Sequence, residues 1–258
     1  MFRKIKKDNL IFGLGGVVIF LIIWEISARF RLVSPILISS PEAVLKSEFD
    51  LFSSKFIFPH LFQSLQEIVL GLSLAICFGV VLGLLIGRFS RLEKITHPLI
   101  YSLYSTPAIA IFPLLMMWLG FSIWTKVSIV FLASFFPIII NTISAVKNLD
   151  PNFVRLAKSF GANDFDIFKT ITLPSSLPYI LSGVRIAVPR GITGMVVGEF
   201  FASNLGLGHL ISFYGGTFQT DNFLAVVLVV VILSVTCTSV LNSVEKRLQN
   251  WKPGRNDY

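Results

Sequence analysis

The chain has 258 residues, of which 54% are hydrophobic and 14% charged, with a mean hydropathy of +0.78. This composition lies far from that of soluble globular domains and argues against a soluble enzyme or binding module. The net charge of +8 does not point to nucleic acid, because the basic residues fall between apolar runs rather than along one face.

Arg3, Lys4, Lys6 and Lys7 precede an apolar stretch from Leu10 to Trp24. Signal peptides share that order, and Ile26, Ser27 and Ala28 form a faint cleavage site. In a protein with many spans the first apolar segment itself directs insertion, so a retained helix is expected. Runs without Asp, Glu, Lys or Arg cover Asn9 to Trp24, Ile68 to Gly87, Ile95 to Thr125, Val127 to Val146, Gly191 to Gly198 and Asn222 to Val244. All but one approach the ~20 residues that cross a hydrocarbon core. Extending the short fifth run from Gly183 to Ala202 places Arg185, Arg190 and Glu199 in or beside a span. The expectation is an all-α integral membrane protein with six transmembrane helices. Cys77 and Cys237 sit in apolar runs, where buried thiols are expected and no metal-ligand spacing exists.

Six spans put both termini on one side. Of the 22 Lys and Arg residues, fifteen fall on that side and five (Arg29, Arg31, Lys46, Lys55 and Lys126) on the other. By the positive-inside rule the termini are cytoplasmic. Connections longer than a turn remain at residues 29–63 outside and 147–182 inside. In the outer one, Ser40, Pro41 and Glu42 supply an N-cap, a first-turn proline and an early acid, so a short surface helix is expected to start there.

In the inner connection, Asp150 and Pro151 repeat that helix-start chemistry. Phe153, Leu156, Ala157 and Phe160 then fall at i, i+3, i+4 and i+7 on one face. Gly161 stands where a left-handed C-cap is wanted. Asn163 and Asp164 cap a second helix bearing Phe165, Phe168 and Ile171, which Pro174 is expected to stop. Such faces commonly rest on a membrane or on neighbouring helices.

The spacing is more specific than that. Arg155, Leu156, Ala157, Gly161, Ile171, Leu173 and Pro174 keep the intervals of the "EAA" loop of bacterial ABC importer permeases, E-A-A, three residues, G, nine residues, I-x-L-P, and the segment resembles that loop. The resemblance extends to the nitrate, sulfonate and taurine branch of these permeases. It rests on His60 with Ser64, Leu65 and Gly71, on Pro107, Ala110, Pro113, Leu114, Trp118 and Gly120, on Phe136, Pro137, Asn141 and Thr142, and on Gly183, Arg185, Arg190 and Glu199. It departs at Arg155, where the motif has glutamate, at Leu156, at Glu67, where arginine is common, and at Ile192, where tryptophan is frequent.

The resemblance implies a type I ABC importer transmembrane fold, one permease domain over 1–258 with a core at 60–245 and a coupling loop at 147–182, in a prokaryotic inner membrane. It also implies a permease homodimer, a cytoplasmic ABC ATPase dimer that receives the loop as a coupling helix, and an extracytoplasmic solute-binding protein. Phe153, Arg155, Leu156, Ala157, Lys158, Phe160, Gly161, Ala162, Leu173 and Pro174 are the expected ATPase-coupling residues. No G-x-x-x-x-G-K-[ST] loop occurs, so no catalytic residue and no cofactor are expected on this chain, and ATP enters through the partner subunit.

For the translocation path, Pro107 and Pro113 lie in one expected span, where each would kink a helix; packing alone is an equal explanation. Asn141 is a further path candidate. Arg190 offers a charge for an anionic solute; snorkelling to headgroups near the cytoplasmic end is the alternative for Arg190 and the preferred reading for Arg185. Glu199 is expected to pair across the dimer or line the path. His60, His97 and His209 are too scattered for a metal site, and Gly71, Gly79, Gly83 and Gly87 suit close helix packing. The expected solute is a small anion of the sulfonate, nitrate or taurine kind, with a thiamine-precursor pyrimidine as the alternative. An ion-coupled carrier or an intramembrane enzyme ranks lower, because neither explains the inner loop.

Overall fold

The structure, a computed structural model, describes residues 2–30, 34 and 37–249. In chain order its elements are α1 (Phe2–Arg29), α2 (Pro41–Ser53), α3 (Ile57–Arg88), α4 (Ser90–Ser105), α5 (Ala108–Leu119), α6 (Ile123–Lys147), α7 (Pro151–Ser159), α8 (Asp164–Ile167), a π-helical turn (Phe168–Thr172), α9 (Leu173–Ala202), α10 (Leu207–Gly216) and α11 (Thr220–Gln249). No strand occurs among the described residues.

The core is a triangle of α3, α6 and α9. Without a hydrophobic force between helices in lipid, such contacts rest on close van der Waals approach, and small residues permit it. Gly71, Gly79, Gly83 and Gly87 of α3 lie against α6 so tightly that a Cβ on Gly71 would stand 2.5 Å from Val130, and one on Gly83 would stand 2.6 Å from Thr142. A second glycine row, Gly183, Gly191, Gly194 and Gly198 of α9, meets the neighbouring face of α6. Ile68, Ala75, Val130, Ile138, Ala187, Val188 and Met195 fill the space between the three. At one end, α2 and α10 pack on α11 through Val44, Leu51, Leu210, Ile211, Ala225 and Val226. The α2 N-cap is as expected, with Ser40 Oγ accepting from the Ala43 N–H at 3.2 Å.

The described residues do not reach six spans. Among the described residues four helices are long and apolar enough to cross a membrane, within Ile57–Arg88, Ile123–Lys147, Asp164–Ala202 and Thr220–Glu245, and α4 with α5 would make five. The expected first span, Asn9 to Trp24, falls in α1, and its side chains before residue 15 lie outside those described.

The expected third span, Ile95 to Thr125, is two helices bent by 93°. Pro107 breaks the helix rather than kinking it, since it forces Thr106 into extended backbone at ψ 126°. The freed carbonyls at the end of α4 are taken up locally. Ser105 Oγ donates to Tyr101 O at 2.9 Å, and Thr106 Oγ1 donates to Ser102 O at 3.0 Å. Pro113 stays inside α5.

Pro174 does not stop a helix either. The π turn before it inserts one extra residue, with the Leu173 N–H reaching Phe168 O, so the missing proline donor falls in the first turn of α9. Asp164–Ala202 therefore runs as one 39-residue helical rod. Cys77, expected to be buried, lies on an uncovered face of α3.

The α3–α6 approach makes a prediction. Gly71→Ala should cost ~1–3 kcal/mol by overpacking against Val130, seen as a lower melting temperature of the detergent-solubilised chain. Gly15→Ala, which meets nothing within 4 Å, should not. Equal melting of Gly71→Ala and the wild type would refute the role given to the glycine row.

Candidate functional site

Three places carry polar or exposed chemistry. The first is the tip formed by α7 and α8. Asp150 Oδ1 accepts from the Asn152 N–H at 2.9 Å and starts α7. The helix ends in a Schellman motif, with Ala162 N–H to Ala157 O at 3.0 Å and Gly161 N–H to Lys158 O at 3.0 Å. The motif needs the left-handed backbone of Gly161, φ +81°. Asn163 and Asp166 then form a capping box on α8. These caps hold up a helix with no buried residue. Phe153, Leu156, Phe160 and Phe165 stand 57%, 56%, 83% and 69% exposed. Arg155 is exposed and donates to Asn152 Oδ1 at 2.9 Å. Asp164 lies 3.3 Å from Arg88 and 3.8 Å from Lys158, tying the tip to the end of α3.

The second place is a cleft of about 450 Å³ at the α4–α5 break, walled by α6 and α9. Leu103, Ile109, Leu132, Phe136 and Val197 make it apolar, and Arg190 is its one charged lining residue. The Arg190 guanidinium lies over the Tyr104 ring, 4.8 Å from its centroid. Among the described residues Arg190 has no ion-pair partner, whereas Arg185, expected to snorkel, pairs with Glu245.

The third place is a largely buried polar clasp where α3, α6, α9 and α10 meet. Lys126 Nζ lies 2.9 Å from Glu67 Oε1 and donates to Ser203 Oγ at 3.0 Å. Gln63 Nε2 donates to the same Glu67 oxygen at 2.8 Å. The Glu199 carboxylate accepts from Ser64 Oγ and from the Gly208 N–H, both at 2.7 Å. The Leu207 N–H donates to Ser64 Oγ at 2.9 Å, and the Gly206 N–H donates to His60 Nδ1 at 3.0 Å. Ser64 and Glu199 thus cap the free N–H groups of α10, where a carboxylate is also favoured by the helix dipole. Gly206, at φ +121°, has no room for a Cβ against the Glu199 carboxylate.

Of the expected path residues, Pro107 and Arg190 line the cleft. Pro113 is exposed on α5 outside that lining, and Asn141 turns back to donate to Pro137 O at 2.8 Å. Glu199 is fully buried in the clasp, neither open to a partner nor facing the cleft. Lys126, counted as an outer-loop cation, is 5% exposed because α6 starts at Ile123 and carries it inward to Glu67. Glu67 stands where the resembling branch commonly has arginine; here Lys126 supplies the cation from another helix. The sequence does hold a signal for this clasp, since His60, Ser64, Glu67 and Gly71 at i, i+4, i+7 and i+11 share one face of α3. Thr193, one turn after Arg190 in the cleft lining, was legible in the same way, whereas Tyr104 and Phe136 were not.

A bundle of apolar spans with a cation in a cleft between helices and an exposed apolar helix at its tip suits the membrane subunit of a transporter. The family described as binding-protein-dependent transport system inner membrane component matches residues 75–250, and the chain belongs to it. It is 34% identical over 232 residues to the formylaminopyrimidine transport permease protein ThiX of Halalkalibacterium halodurans, covering 90% of this chain and 92% of the relative. It is 29% identical over 244 residues to the taurine transport system permease protein TauC of Escherichia coli, covering 93% and 89%. Its fold is that of a chain of the MetNI methionine ABC transporter in an inward-facing conformation, with a TM-score of 0.62 at 16% identity over 72% of this chain and 93% of that one. The chain is a multi-pass permease subunit of an ABC importer and not an enzyme; the ATPase is a separate subunit.

The clasp yields a prediction. Lys126→Met leaves buried carboxylates uncompensated and should destabilise the chain by ~3–5 kcal/mol. Adding Glu67→Gln should restore part of this in a double-mutant cycle of melting temperatures. A fully stable Lys126→Met chain would contradict the pairing.

Proposed function

We propose that two copies of the chain form the path for a small anionic solute, delivered by an extracytoplasmic binding protein, and that the α7 tip couples the path to a cytoplasmic ATPase dimer. Termini and tip lie in the cytoplasm by the positive-inside count. The observation that carries the coupling role is the α7–α8 tip, a capped helix that presents Phe153, Leu156 and Phe160 more than half exposed among the described residues. A solvated apolar face of that kind suits a helix-in-groove contact, where aromatic anchors supply most of the binding energy. Arg155 and Lys158 flank it, Gly161 and Ala162 fix its end, and Leu173 and Pro174 join it to α9. No nucleotide or cofactor is bound by this chain in this reading; ATP acts through the partner. Closing the ATPase dimer would move the tips and switch the path between inward-open and outward-open states.

In the cleft, Arg190 is placed to attract the negatively charged head of a solute of the sulfonate, nitrate or taurine kind, with Pro107 fixing the break that opens it. The apolar lining with Tyr104 and Phe136 favours a second reading, a flat pyrimidine of the sort carried by the 34% identical relative.

The test is reconstitution with the ATPase and binding protein. Phe153→Ser with Phe160→Ser should cut solute-stimulated ATP hydrolysis at least ten-fold, given ~2 kcal/mol or more per aromatic anchor, at an unchanged melting temperature. Arg155→Glu should also lower it, and the reciprocal change of an acidic ATPase residue should restore it. Normal hydrolysis in the double serine variant, or solute accumulation by the chain alone on an ion gradient, would overturn the coupling role.

A further inference from the structure

We propose that Arg190 makes the cleft a charge filter in its own right, one that holds an organic monoanion with an apolar body and rejects a zwitterion of equal length. The inference rests on the reading of the cleft as the solute path and narrows its solutes to organic monoanions such as alkylsulfonates, against nitrate and against taurine, which is a zwitterion at neutral pH.

Three features carry it. The lining holds a single charged side chain, Arg190, and no Asp or Glu. The guanidinium carbon lies 4.8 Å from the Tyr104 ring centroid, and Arg190 has no ion pair among the described residues. A cation–π contact uses no N–H as a hydrogen bond to an acceptor, and the five guanidinium N–H donors can serve an oxyanion head such as carboxylate or sulfonate.

The rest of the cleft is a volume of about 450 Å³ bounded mostly by aliphatic and aromatic carbon. An inorganic oxyanion would fill only a small part of it and leave those walls without contacts. An alkyl or aryl body would cover them.

A zwitterion fits poorly for the opposite reason. Its ammonium would find no carboxylate. The hydroxyls of Ser105, Thr106 and Thr193 already donate to backbone carbonyls, and these and the Tyr104 hydroxyl offer only neutral oxygens. The ammonium would also sit near the guanidinium; two like charges ~6 Å apart at an effective dielectric constant of ~20 correspond to a roughly hundred-fold penalty. The filter is thus built by omission of acids as much as by Arg190.

Isothermal titration of the full-length chain in detergent tests this, with butanesulfonate and its ω-amino analogue as probes. Butanesulfonate should bind at least ten-fold more tightly. Arg190→Met should lose at least ten-fold in butanesulfonate affinity and most of the preference, while Arg190→Lys, which keeps the charge, should retain the preference. Tyr104→Leu should weaken binding, and Tyr104→Phe, which keeps the ring face, should not. Equal binding of the two probes, no binding of either, or unchanged affinity in a folded Arg190→Met chain would overturn the proposal. Lost preference with normal ATPase coupling through α7 removes the filter alone. Preserved preference in a chain that stimulates no ATPase removes the path reading and leaves the filter.

Discussion

The close approach of α6 to both α3 and α9 is the constraint on which the rest depends. Two glycine rows bring α3 and α9 to neighbouring faces of α6, with carbonyls and β-carbons of one helix at the surface of the next. In an apolar medium this contact density is what distinguishes a fixed bundle from helices that merely share a membrane. Because the triangle is rigid, the position of anything attached to α9 is set. The rod from Asp164 to Ala202 carries the α7–α8 tip at one end, Arg190 of the cleft along its length and Glu199 of the clasp near the other end. The tip and the cleft are therefore joined through a single element.

The clasp and the break divide the labour around that triangle. Glu67, Lys126 and Glu199 have low exposure and are hydrogen-bonded, so they lock the ends of α3, α6 and α9 to the start of α10. Buried ionic groups cost desolvation and are held here only because each shares its charge with a partner or with free helix N–H groups. The α4–α5 corner is the opposite case. It packs on the triangle through Phe112 and Leu115 and otherwise leaves the cleft open, with polar Ser105 and Thr106 closing the broken helix end. Locked polar groups sit where the helix ends meet, and a lone cation sits in the open cleft.

The elements that the sequence made legible are those set by local chemistry. The caps at Ser40, Asp150 and Asn163, the left-handed turn at Gly161 and the apolar stripe of Phe153, Leu156 and Phe160 are all short-range patterns, and each falls where the spacing places it. Expectations that depended on tertiary context fared differently. Pro107 reads as a kink until the neighbouring hydroxyls show how a full break is satisfied. Pro174 reads as a stop because nothing in the sequence announces a π turn. Charge counting placed Lys126 in solvent, since its partner Glu67 lies 59 positions earlier on a different helix. Glu199 was visible as costly, but its use as an α10 cap depended on a chain reversal at Gly206 that only the fold reveals.

The central claim is that the tip drives the cleft, and a single accessibility measurement addresses it. A cysteine is placed at Thr193 in a chain whose Cys77 and Cys237 are replaced by alanine, in complex with the ATPase and binding protein. Its rate of modification by an impermeant thiol reagent is then followed with and without ATP. The account predicts a several-fold change on adding ATP that disappears when Phe153 and Phe160 are serine; identical rates with and without ATP in a complex that hydrolyses it would contradict the account.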